Sequence, residues 1–106
     1  MNHVRVQLLQ TLRQRRNIDI EMFRELEGKV VEYASECHGT LDDWRGIVGR
    51  VGEKNVEMLF VMNPAGHSDK PAVIYHRNAI SEISQVDPSL WTVEQYKESY
   101  EKARAK

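Results

Sequence analysis

Cys37 and His38 stand side by side, with His67, Asp69 and His76 further along the chain. As residue types they can be written as a thiol nucleophile with its base, or as ligands of a metal ion. Their spacing argues against both readings. It matches no zinc-finger or zincin pattern, and the side chains of adjacent residues do not naturally converge on one point. The sequence also contains no glycine-rich phosphate loop, no GxSxG elbow and no HExxH segment. No metal, no cofactor and no enzymatic centre is expected.

A second set of residues is cationic and aromatic. Residues 1–17 carry Arg5, Arg13, Arg15 and Arg16 and no acid, whereas 31–69 carry Glu32, Glu36, Asp42, Asp43, Glu53, Glu57 and Asp69 against Arg45, Arg50 and Lys54. A basic end therefore faces an acidic middle. The arginines, Lys54, His76 and Arg77 are the types that follow a phosphate backbone, and Tyr33, Trp44 and Tyr75 are the types on which bases stack. The same residues also read as a solvated helix face and core aromatics. With a net charge of −1, any anion-binding surface must be local.

The elements that would position these residues belong to one domain, since 106 residues close a single core. A hydrophobic content of 41% and a charged content of 29% are those of a globular protein. No apolar run approaches the ~18 residues of a membrane span. There is no secretory apolar block near residue 1, and the single cysteine forms no intrachain disulfide, so a cytoplasmic location is expected.

Val4, Leu8, Leu9 and Leu12 recur at helical spacing over His3–Arg16, and Ile18, Met22, Phe23 and Leu26 form a second stripe that Gly28 can terminate. The β-branched and aromatic run Lys29–Ser35 suits a first strand, and Glu36–Asp42 reads as a loop. Trp44–Val51 is a strand interrupted by Gly46 and Gly49, the mark of a sharp bend; Gly52-Glu53-Lys54 turns it into Asn55–Met62. Asn63–Lys70 is turn chemistry throughout. Pro71–His76 follows as a strand apolar on both sides, and therefore expected to be covered on both. Arg77-Asn78 links it to a last strand, Ala79–Ser84, anchored by Ile80 and Ile83. Thr92 and Gln95 form a capping-box pattern for a helix from Val93, docked by Tyr96 and Tyr100 with help from Trp91.

This order resembles the Sm-like family, which includes Hfq and the LSm proteins. The residues that carry the likeness are Leu26-Glu27-Gly28-Lys29-Val30-Val31, Trp44-Arg45-Gly46-Ile47-Val48, and Ile74 to Ile83. Ala79-Ile80-Ser81 is similar to the end of the Tyr-Lys-His-Ala-Ile-Ser link of Hfq-like members, although Tyr75 is displaced by one and His76-Arg77-Asn78 stands where Tyr-Lys-His would be. The resemblance spans residues 3–84. It implies an α+β fold, mainly β: a strongly bent five-stranded barrel over 29–84, a helical N-terminus over 3–27, in one helix or two short ones, and an additional C-terminal helix over 92–105. It further implies a homo-oligomeric ring that binds single-stranded RNA without catalysis, with Arg77 at the family's lysine and Asn78 at its histidine. Lys54, Asn55, His76, Arg77 and Asn78, together with Arg13, Arg15 and Arg16, are the expected RNA contacts. Glu57 falls near the LSm asparagine of the third-strand hairpin and departs from it. The alternative, from another class, is a protein-interaction module on the same scaffold, its partner held by the acidic middle and the C-terminal helix. No membrane association is expected in either case.

Overall fold

The computed structural model describes residues 20–37, 40–63 and 69–105. The expected helix over His3–Arg16, with Arg13, Arg15 and Arg16, lies outside them. So do His38, His67 and the side chains of Cys37 and Asp69. A short helix, α1 (Ile20–Glu25), is followed by β1 (Val30–Cys37), β2 (Thr40–Val51), β3 (Asn55–Met62), β4 (Asp69–His76), a 3-10 turn (Arg77–Ala79), β5 (Ile80–Gln85) and a helix, α2 (Val93–Arg104). No helix among the described residues is long and apolar enough to cross a membrane.

The strands form one antiparallel sheet in the order β4-β3-β2-β1-β5. Three boundaries differ from the sequence expectation. β4 begins at Asp69, inside the stretch read as turn, because Asp69 and Lys70 pair with Met62 and Val61 on β3. Glu36–Asp42 is not a loop: β1 and β2 pair as far as Cys37 and Thr40, with Asp42 and Asp43 opposite Ser35 and Ala34. Aspartates depleted in strands on average are held in this one by the ladder of their neighbours. The last strand begins at Ile80 because Arg77–Ala79 winds into the 3-10 turn. Upstream, α1 stops at Glu25, and Gly28, at φ 78°, supplies the left-handed step that turns the chain into β1.

Phe23, Val31, Tyr33, Val48, Val56, Met58, Val61 and Ile80 pack on one face of the sheet. Tyr33 on β1 reaches Tyr75 on β4, with β2 and β3 between them in the sheet order, the ring centroids 5.4 Å apart and the hydroxyls sharing a hydrogen bond of 2.9 Å. Only a sheet curled over its own face brings those strands into contact. Burial, then the bond to Tyr75, pushes the Tyr33 hydroxyl above the ordinary tyrosine range, so it stays protonated. Among the described residues β4 and β5 do not pair with each other, so the sheet is curled but not closed by hydrogen bonds into a barrel.

The curl has local causes. The β2–β3 register shifts between Arg45 and Ile47 and again between Val48 and Val51. Each shift is a bulge that adds bend and twist. At the first, Phe60 adopts φ 54° and Gly46 faces the Leu59 carbonyl, which a Cβ would approach to 3.1 Å. A further shift in the β1–β5 pairing near Ser35 lets Ile80 and Ile83, three apart, both reach the core cluster.

The opposite face is covered by α2. Tyr96 and Tyr100 are fully buried against Val30, Ile47 and Met62, with Trp91 and Phe60 packed alongside. Thr92 accepts from Gln95 N and the Gln95 side chain accepts from Thr92 N, so the predicted capping box is formed. Burying each tyrosine ring contributes about 1.5–3 kcal/mol, which is how so narrow an apolar stripe holds the helix. The Tyr96 hydroxyl donates to the Phe60 carbonyl. Pro71, opposite Phe60 in the β3–β4 register, has no N–H to give that carbonyl.

Tyr96→Phe keeps the ring and removes this donor. It is expected to cost about 1–3 kcal/mol, the penalty for an unsatisfied part-buried carbonyl, read as a lower midpoint in urea unfolding. An unchanged midpoint would mean that the bond does not hold the bulge.

Candidate nucleic-acid interface

The β2–β3 turn and the β4–β5 link, 23 residues apart from Lys54 to Arg77 in sequence, meet at one end of the sheet. Two backbone bonds bring them together. Gly52 N donates to Asn55 O at 2.8 Å, closing the turn, and Arg77 N donates to Lys54 O at 2.7 Å, tying the link to it. The 3-10 turn is capped by His76, whose Nδ1 accepts from Asn78 N at 3.2 Å. That bond requires the Nδ1 lone pair and leaves Nε2 as the outward ring nitrogen.

The strand register then fixes which side chains share a face. Asn55 pairs with His76 and Glu57 with Ile74, while the alternate residues Val56, Met58, Val73 and Tyr75 turn to the core. The outward group is thus an amide, an imidazole, a carboxylate and an aliphatic side chain, in two cross-strand pairs. Ile74 corrects the expectation that β4 is covered on both faces: it is 68% exposed and Ala72 is also exposed, because α2 stops short of this end of the sheet and docks around Tyr96 and Tyr100.

Glu57 is held in place. Its Oε1 accepts from Arg50 N at 3.1 Å, satisfying a backbone donor on the β2 bulge. Gly49 makes room for it: a Cβ there would stand 2.6 Å from Glu57 Oε1. Arg50, Gly52, Asn55, Glu57 and Ile74 line an open depression of about 360 Å³.

Of the residues expected from sequence to contact RNA, Lys54, Asn55, His76, Arg77 and Asn78 are brought to this one rim, Arg77 half-buried and the others exposed. The proposed stacking residues are not. Tyr33 is 2% exposed and belongs to the core, Tyr75 is half-buried against it, and Trp44 lies away from the rim with Lys70 Nζ 5.9 Å from its ring centre. Sequence reasoning missed Arg50 and Ile74. The signal for Ile74 was its place two residues before His76, on the same side of the strand.

Gly49→Ala should displace the Glu57 carboxylate from Arg50 N and destabilise the fold by about 1 kcal/mol. In a Glu57→Ala background the same change should be nearly neutral, giving a coupling of about 1 kcal/mol in a double-mutant cycle. Additive effects would show that the glycine is not there for the carboxylate. Compared with models of known protein families and with curated proteins, the sequence matches none.

Proposed function

We propose that this chain is a non-catalytic, Sm-like small-barrel protein whose copies join edge to edge into a ring and bind single-stranded RNA at the rim formed by Lys54, Asn55, His76, Arg77 and Asn78. The observation that carries the reading is the bond from Arg77 N to Lys54 O, with the Asn55–His76 pairing beside it. It gathers into one patch the residues that the family likeness assigns to RNA contact.

The sheet edges support the assembly. Because Arg77 N points to β3, alternation turns the backbone groups of Ile74 and His76 toward the open side of β4. Val86 N donates to Val30 O at 2.9 Å, so the same alternation turns those of Ile83 and Gln85 toward the open side of β5. Two open antiparallel edges at opposite ends of one curled sheet are complementary to each other in a second copy, and a heterologous contact of this kind closes into a ring. Repetition around the ring multiplies a modest local charge, which is how a chain of net charge −1 can hold a polyanion. The protein-interaction alternative draws on α2, whose buried Tyr96 and Tyr100 make it an integral part of the fold rather than a detachable arm.

Binding of a fluorescent single-stranded RNA should weaken steeply with salt, since each phosphate contact contributes about 0.7 to the log–log slope. Arg77→Ala should weaken binding without sequence preference and lower that slope by roughly one contact. Absence of binding at low salt would contradict the proposal.

A further inference from the structure

Glu57 is an anion inside a surface proposed to bind a polyanion, and it is fixed there rather than merely tolerated. Its Oε1 receives the Arg50 N–H, Gly49 leaves space for the carboxylate, and the ladder sets it directly opposite exposed Ile74. A carboxylate only accepts hydrogen bonds, so it selects among bases by the donors on their edges. Guanine presents two adjacent donors, N1–H and the N2 amino group. Uracil presents one N–H between two carbonyls, which a carboxylate repels. Adenine and cytosine each present one amino group beside an acceptor nitrogen.

On the reading of the rim as an RNA site, on which this rests, we infer that the depression of about 360 Å³ beside Glu57 is a guanine-selective subsite. Its volume lies in the usual range of small-molecule sites. Glu57 takes the N1–H and N2 amino donors; each carboxylate oxygen has a second lone pair, so the bond to Arg50 N is kept. Asn55, two residues back on the same face, has an amide NH₂ that can donate to guanine O6. Ile74 supplies the apolar surface on which the base lies, and Arg50 supplies a cation beside it for the adjoining phosphate.

The test is fluorescence anisotropy at low salt with the full chain and four probes: a short oligouridylate, and the same oligomer with one central uridine replaced by guanosine, inosine or adenosine. The guanosine probe should bind about tenfold tighter than the uridine and adenosine probes. Inosine, which keeps N1–H and O6 but lacks the amino group, should fall between. Glu57→Gln retains an oxygen for Arg50 N and so retains the fold; it should erase the guanosine preference while leaving oligouridylate affinity unchanged or higher. Equal binding of all four probes, or a preference that survives Glu57→Gln, would overturn the subsite and leave RNA binding standing. Failure of every probe to bind would remove the RNA reading, and the subsite with it.

Discussion

Phe60 holds φ 54°, a conformation that costs a bulky L residue on the order of 1–3 kcal/mol, and the curvature of the sheet depends on its being held there. The strain falls in the middle of β3, the strand that pairs with β2 on one side and β4 on the other. On the β2 side the bulge is accommodated by Gly46, where the Leu59 carbonyl lies close enough to crowd any Cβ. On the β4 side Pro71 stands opposite without an N–H. The hydroxyl of Tyr96 completes the arrangement from outside the sheet. The C-terminal helix therefore does more than cover apolar surface: it supplies a donor at the point where the β ladder lacks one.

From that bend the rest follows in order. A sheet curled at β2 and β3 lets β1 and β4 meet across the interior through Tyr33 and Tyr75, and among the described residues it leaves β4 and β5 as the two edges of the sheet. The second bulge, at Gly49 and Arg50, re-aims a backbone N–H toward Glu57 and so fixes a carboxylate on the outer face. Bulges beside functional surfaces commonly serve to redirect a single group in this way. Here one strand pairing sets both the interior and the rim, because Val56 and Tyr75 alternate with Asn55 and His76 along the same two strands.

Much of this was legible in the sequence, because it rests on local signals. The interior glycines announced the bend, Thr92 and Gln95 the start of the helix, and Tyr96 and Tyr100 its docking face. Features set by non-local pairing were not legible. Asp42 and Asp43 look like turn residues until their strand partners are known. Ile74 looks like a buried strand residue until α2 is seen to dock elsewhere. Glu57 looks like a bare departure from the family's asparagine, since nothing local reveals that it answers a bulge on the neighbouring strand. At the candidate site, the gathering of Lys54, Asn55, His76, Arg77 and Asn78 was expected only through family likeness. The register gives it a physical basis in this chain.

The central claim is that the open edges of β4 and β5 satisfy each other in a ring, and the most direct measurement is the mass of the nuclease-treated protein in solution by light scattering. Edge-to-edge closure requires a single species at a whole multiple, several times larger, of the 12.3 kDa chain. Ile74→Pro, which deletes an N–H facing the open side of β4 and leaves the β3 ladder intact, should return that species toward the mass of one chain. A wild-type protein that already scatters as a single 12.3 kDa chain at micromolar concentration would contradict the ring.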